Sequence, residues 1–420
     1  MKEYRPAVLI SIMALILSTS FIVFKMESEK RELQDELIEL SKVKYGMFSV
    51  DEWEEILSTI ITKRINDFDL EDTNQEKLKE KISDFLQIAI DELEVAYNEE
   101  EGFLKRTGAT VFGVFGHMEK KIPEITESIV EFMNDPENRE RIKEYLLKKM
   151  SEYSEETFAE INYTAYDLIL AKHQVQTKQQ AIGILKNKIA TIEHEREPFT
   201  IALFTIITLL FVLVAFSADL KKTEFTILTI ICGVLLLVGV LLPMINIDAR
   251  VSEMNFQLLG EEISFNDQVL YFKSKSILEV VMLMLSQSKI DVLVVGFLVL
   301  LFSVLFPVSK LTTSLFYLYR KKARESKVAK FLVFKTAKWS MADVMVVAIF
   351  MAFIGFSGIV SEQLRDLESI ALNVEIFTTN ASSLQIGFFL FTSFAVLSTL
   401  VSYKLQYSFN DDKKISGAPD

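Results

Sequence analysis

The chain has 420 residues, of which 50% are hydrophobic and 25% are charged, and its formal net charge is −13 at pH 7. It is too apolar for an ordinary soluble domain and too charged for a fully embedded protein, so we expect it to divide between lipid and water. The acidic balance excludes nucleic acid as a partner, because phosphate binding needs clustered cations. The single cysteine, Cys232, excludes an intramolecular disulfide and a cysteine-based metal cluster.

Six apolar segments are predicted to cross the membrane as α-helices, since ~20 residues of helix span the ~30 Å hydrocarbon core. They lie at about residues 7–24, 199–217, 225–245, 291–308, 342–360 and 383–402. The first is interpreted as an uncleaved anchor, because the sequence SFIVFKMES that follows it lacks a small-residue cleavage site. The predicted fold class is an all-α membrane protein with six transmembrane helices and an extramembrane helical bundle inserted after the first one.

Basic residues orient these spans, because Lys and Arg accumulate in cytoplasmic loops. Residues 309–341 hold nine basic residues against one acid, Glu325. Three further basic groups fall on the same side of the membrane if all six spans are real: Lys2 with Arg5, Lys221 with Lys222, and Lys404 with Lys413 and Lys414. Both termini are therefore predicted to be cytoplasmic, and residues 25–198 are predicted to lie on the opposite side.

Residues 25–198 form the predicted extramembrane domain, with 39 acidic and 24 basic residues. Apolar residues recur at helical spacing, as in Leu78, Ile82 and Phe85, which predicts an antiparallel helical bundle standing on the membrane. Its last helix is expected to start near Ser154 and to continue past Pro198 into the second span. The remaining predicted units are an anchor at 1–24, a multi-span module at 199–405 and a cytoplasmic tail at 406–420.

The loop between the third and fourth spans carries its own structural signal. Residues 276–287, SILEVVMLMLSQ, are apolar but too few to span the membrane, so they predict an interfacial or re-entrant helix. Mixed β-branched and aromatic residues precede this segment, and a small extramembrane strand pair is possible there.

Two ionisable residues lie at the ends of apolar spans, where a charge is costly and usually functional. Lys310 follows the fourth span and Asp343 begins the fifth. Each also has a simpler interpretation: Lys310 extends towards the headgroups, and Asp343 caps a helix N-terminus. Trp339 is interpreted as an interface anchor.

Polar residues near these two charges complete a candidate intramembrane site. Pro307 should kink or end the fourth span, because it lacks an N–H group. Ser303 shares a helix face with Lys310, and Thr392 and Ser393 interrupt the last span. A Lys–Asp pair bridged by these hydroxyls would form a polar site for a lipid headgroup or a proton relay.

No enzyme motif is present: the sequence has no phosphate-binding loop, no serine nucleophile elbow and no zinc-protease helix. The three histidines show no metal-ligand spacing. The chain is therefore expected to be non-enzymatic, without a metal or other cofactor.

Four strings in the C-terminal half resemble the paraquat-inducible protein A family. They are LLPMINI (241–247), SILEVV (276–281), VLFPVSKLTTSLFYL (304–318) and KWSMADVMVVAIFMAF (338–353). The resemblance covers about residues 199–405 and excludes the 25–198 domain. Many members carry cysteine pairs that form a cytoplasmic zinc ribbon, and two copies of the module. This chain has no such pairs and one copy.

The resemblance implies a protein of the bacterial inner membrane that works with an MCE-domain protein in transporting phospholipid or another envelope lipid. Residues 25–198 would then be periplasmic. Three other functions stay open. A proton-coupled or small-solute transporter would use Asp343, a sensor would need a cytoplasmic output domain, and a scaffold would serve another membrane complex.

Overall fold

A computed structural model describes residues 5–46, 162–217, 220–258, 261–320, 342–370 and 374–415, with residues 49, 83, 87, 123, 126 and 326 as isolated positions. Its helices are α1 (Arg5–Leu40), α2 (Thr164–His173), α3 (Lys178–Ala215), α4 (Lys222–Leu241), α5 (Ile277–Leu285), α6 (Ile290–Leu300), α7 (Phe306–Tyr319), α8 (Ala342–Ile370) and α9 (Ile386–Ile415). Its strands are β1 (Ile245–Leu258), β2 (Glu261–Lys275), β3 (Val374–Asn380) and β4 (Ser383–Leu384). Most of the predicted bundle lies outside the described residues.

Six helices are long and apolar enough to cross a membrane, which confirms the predicted number of spans. They are α1, α3, α4, the combined helix Ile290–Tyr319, α8 and α9. The chain is thus a multi-pass membrane protein. The third span ends at Leu241, earlier than predicted, because the chain soon enters β1. The sixth span begins at Ile386, later than predicted, because the residues just before it form β4.

Helices α1 and α3 extend beyond the membrane and pack against each other. We call their extramembrane parts, residues 25–40 and 178–198, the stalk. Helix α3 passes through Pro198 without a break, as predicted. Its start at Lys178 is later than the expected Ser154, because Gln174 adopts a left-handed conformation (φ 55°) that ends α2.

Buried charges join the two stalk helices just beyond the membrane. Glu27 and Lys30 of α1 are only 4% and 5% exposed. Glu27 accepts an ion-paired hydrogen bond from Arg196 of α3, and the Lys30 Nζ atom lies 2.9 Å from the Glu193 Oε1 atom. Each buried charge therefore has an opposite partner on the other helix, which fixes the register of the pair.

Helices α4 and α9 form the centre of the membrane bundle. Helix α4 packs against α1, α7 and α9, while α8 contacts chiefly α9 and the sheet. Two glycines allow α4 and α9 to approach closely. A Cβ atom at Gly239 would lie 2.8 Å from the Phe391 backbone nitrogen, and one at Gly387 would lie 2.5 Å from the Pro243 carbonyl oxygen.

The two loops on the stalk side of the membrane meet in one antiparallel sheet. Strands β1 and β2 form a hairpin from Ile245↔Lys275 to Leu258↔Glu261, and β3 and β4 pair with the other edge of β1. Because β3 comes from the loop between α8 and α9, this pairing requires that both loops lie on the same side of the membrane.

The fold is predominantly helical, which is the predicted class. The sheet is an addition to that fold, and it is larger than the strand pair considered from the sequence. Residues 245–251, INIDARV, alternate apolar and polar side chains as a half-buried strand does. Their start is predicted to belong to the third span, because the preceding residues are uniformly apolar.

Lys404 ties the sixth span to the end of the second. Its Nζ atom donates to the Ala215 carbonyl at 3.0 Å and to the Ser217 carbonyl at 2.9 Å. The Ala215 carbonyl ends α3 and the Ser217 carbonyl lies two residues beyond it, where a positive charge also interacts favourably with the helix dipole. We expect Lys404→Met to lower the unfolding free energy by about 1–2 kcal/mol.

Thermal melting in mild detergent measures this effect. Lys222→Met is the matched control, because Lys222 is an exposed lysine at the start of α4. Equal melting temperatures for the two variants would show that the Lys404 contacts contribute nothing.

Candidate functional site

The fourth span changes helix type in front of its proline. Helix α6 ends at Leu300, residues Leu301–Leu305 form a π-helical turn, and α7 begins at Phe306. Proline has no N–H and its ring clashes with the carbonyl four residues earlier, here that of Ser303. The wider π turn accommodates both effects. The span therefore continues through Pro307 to Tyr319 instead of ending there.

Lys310 lies one turn after this proline, on a face of α7 that packs against α4. It is only 2% exposed, and its Nζ atom donates to the Ser398 carbonyl of α9 at 3.5 Å. The interpretation that Lys310 extends towards the cytoplasmic headgroups is therefore wrong. The longer span places it in the helix interior, where its ammonium group meets neighbouring helices.

Hydroxyl groups from three helices surround Lys310. The cavity beside it is lined by four of them and one thiol: Thr229 and Cys232 of α4, Ser314 of α7, and Ser398 and Ser402 of α9. The hydroxyl hydrogens bond to their own helix backbones, for example Ser402 Oγ to Ser398 O at 2.7 Å. Each oxygen keeps lone pairs that can accept a hydrogen bond. The cluster thus presents acceptors to an ammonium group.

The cavity is small, about 10 Å³, which is room for about one water molecule. A phospholipid headgroup does not fit it. None of the described residues that line it is acidic. The Ser398 carbonyl and the hydroxyl oxygens can accept hydrogen bonds from a charged Lys310, while loss of its proton would leave a neutral amine in a polar cavity. This arrangement suits proton binding better than headgroup binding.

The structure does not bring the other predicted hydroxyls to this cavity. Ser303 is buried in the π turn, but it does not line the cavity. Thr392 and Ser393 donate to backbone carbonyls of their own helix at 2.8 Å. They precede Ser398 by five or six residues, or about 8–9 Å along α9.

The predicted Lys–Asp pair stays a prediction. Asp343 lies in the first turn of α8, and its side chain is outside the described part of the structure. Trp339, the predicted interface anchor, also lies outside the described residues.

Sequence reasoning missed the hydroxyls that do surround Lys310, although spacing offered a signal. Ser314 lies four residues after Lys310, and Ser398 and Ser402 lie four residues apart on the last span. Residues at this spacing share a helix face. Lys310 and these serines also belong to the halves of their spans that lie away from the stalk, so they lie at similar depth.

The sequence profile of the family described as paraquat-inducible protein A matches residues 222–365, about a third of the chain. The matched residues run from the start of α4 into the last turns of α8, and they include Cys232, Lys310 and Asp343. No curated protein and no solved structure matches the chain. The resemblance to the paraquat-inducible protein A family is thereby confirmed over residues 222–365.

Proposed function

We propose that this chain is a non-enzymatic component of an envelope lipid transport system, embedded in the bacterial inner membrane and acting with an MCE-domain protein. The observation that carries the proposal is the family match over residues 222–365, within the multi-span module. The lipid would be a phospholipid or another envelope lipid. In this proposal both termini are cytoplasmic, and the stalk and the sheet are periplasmic.

Contacts between the stalk and the sheet support a partner-binding role on that side of the membrane. The Val269 backbone N–H donates at 2.8 Å to the carbonyl of Ser41, the residue directly after the α1 part of the stalk. Lys186 of α3 forms an ion pair with Asp267 at the β2 side of the sheet. These contacts join the stalk and the sheet into one extramembrane body, which offers a surface for a periplasmic partner.

The Lys310 cavity supports a second element, coupling of transport to protons. Its volume admits a water molecule and not a headgroup, and its described lining includes the amine of Lys310. A proton on Lys310 would change the hydrogen bonds between α4, α7 and α9. The same observation favours the alternative function, a proton-coupled transporter of small solutes, so lipid must be tested directly.

Purification in mild detergent, followed by lipid mass spectrometry and identification of co-purifying proteins, tests the proposal. We expect bound phospholipid or another envelope lipid, together with an MCE-domain protein. Absence of both would contradict the proposal. Lipid at the level found on an unrelated six-span protein counts as absence, so such a protein is purified in parallel.

A further inference from the structure

Helix α5 is a short helix at the stalk-side rim of the membrane module. Its N-terminus is closed by a capping box: Ser276 Oγ accepts from the Glu279 N–H at 3.2 Å, and Glu279 Oε2 accepts from the Ser276 N–H at 2.9 Å. This reciprocal pair fixes where the strand β2 stops and the helix begins. The helix is therefore held at its first turn and is not a frayed extension of the loop.

Arg31 of the stalk binds this first turn from outside the membrane, and we call its two contacts the clamp. The Arg31 Nη2 atom of α1 lies 2.7 Å from Glu279 Oε1 and donates to the Ser274 carbonyl at 3.3 Å. Burial alone would raise the pKa of Glu279, but the Ser276 N–H and Arg31 together hold it below its ordinary value. The clamp is therefore present at neutral pH and is lost as the pH falls through this lowered pKa.

The inner face of α5 fixes its depth. Ile277 and Val281 are buried in the same core as Leu242 at the end of α4. At the other end, a Cβ atom at Gly296 would lie 2.7 Å from the Met284 Cβ atom, so α5 crosses α6 in close contact. Gly296 lies six residues into α6, about 9 Å from its stalk-side end.

The outer face of α5 is apolar and unpartnered within the described residues. Met282 and Leu283 are 60% and 57% exposed. Helix α5 packs against α6, whose exposed apolar residues include Leu293 and Phe297 at 43% and 50%. These two residues belong to a membrane-spanning helix and therefore face acyl chains, and the exposed apolar face of the adjoining α5 fits the same environment.

Lysines flank this apolar face in sequence and on the same side of the membrane. Lys273 near the end of β2 and Lys289 at the start of α6 are both exposed. An apolar helix face bordered by lysines suits the boundary between acyl chains and headgroup phosphates.

We propose that α5 inserts into the stalk-side leaflet at the headgroup–acyl boundary, with Met282 and Leu283 among the acyl chains and Lys273 and Lys289 at the phosphates. The contacts of Arg31 with Glu279 and Ser274 hold α5 at a fixed depth relative to the stalk. The proposal rests on the packing of α5 and is independent of the lipid transport function.

Electron paramagnetic resonance on the full chain in phosphatidylethanolamine–phosphatidylglycerol vesicles tests the insertion. A nitroxide is attached to Leu283→Cys, and Met282→Cys repeats the measurement. The native Cys232 is fully buried, and labelling of the unsubstituted chain checks that it does not react. Leu293→Cys is the acyl-chain reference, and Tyr271→Cys on β2, where Tyr271 is 48% exposed, is the aqueous reference.

We expect the label at residue 283 to collide with oxygen and to be protected from a water-soluble nickel chelate, as at residue 293. Nickel access equal to that at residue 271 would overturn the proposal, because α5 would then lie in water. Protection from both reagents would also overturn it, since a second copy of the chain or another protein would then cover the face.

Discussion

Lys310→Met is expected to reduce transport by at least about tenfold, or roughly 1.4 kcal/mol in the limiting barrier, and to leave the fold intact. Methionine fills a similar volume without a charge. Loss of the hydrogen bond to the Ser398 carbonyl is offset by removal of the cost of burying a charge. The melting temperature in detergent should therefore change little. Lys310→Arg should not restore transport, because the larger guanidinium does not fit a cavity of about 10 Å³.

The readout is envelope-barrier function in cells, with protein levels measured in the same samples. Lys222→Met, an exposed lysine at the start of α4, controls for general loss of positive charge. Wild-type barrier function in Lys310→Met would show that the buried ammonium has no part in transport. A large fall in melting temperature would instead assign Lys310 a structural role.

Gly387→Ala is expected to destabilise the bundle severely. The added Cβ would lie 2.5 Å from the Pro243 carbonyl oxygen, which already accepts a hydrogen bond from the Gly387 N–H at 3.0 Å. The obstructing oxygen is a backbone atom, so rotation of a side chain cannot relieve the clash. Overpacking of this kind costs about 1–3 kcal/mol or more, because α4 and α9 must separate. Gly239→Ala should act in the same way through Phe391.

Gly355→Ala is the matched control for these substitutions. Gly355 also lies in a membrane-spanning helix, α8, but no atom of the described residues lies within 4 Å of the position where its Cβ would be. Alanine favours helix over glycine by up to about 1 kcal/mol, so this variant should melt at the same temperature or higher. Similar melting of the Gly355 and Gly387 variants would contradict the described contact between α4 and α9.

The spans could be predicted from the sequence because a membrane helix satisfies its backbone internally and must be apolar along its length. Both properties can be recognised within a single stretch of sequence, without reference to the rest of the chain. The sheet could be predicted only in part, because β1 pairs with β3, more than a hundred residues later in the chain. No local pattern specifies that pairing.

The candidate site shows the same division between local and long-range information. Lys310 and Pro307 could be singled out because a charge and a missing N–H are conspicuous in an apolar span. The hydroxyls around Lys310 depend on how α4, α7 and α9 pack. The relative heights of these helices decide whether Thr392 or Ser398 lies beside Lys310. Helix packing, which sets those heights, has no signature in one span alone.

Lipid exchange between vesicles tests the central claim most directly. Donor vesicles contain the full chain with its co-purified partner and a fluorescent phospholipid, and acceptor vesicles lack protein. We predict transfer that requires the chain and that falls at least about tenfold with Lys310→Met, while the partner still co-purifies. Transfer that is equal with and without the chain would contradict a role in lipid transport.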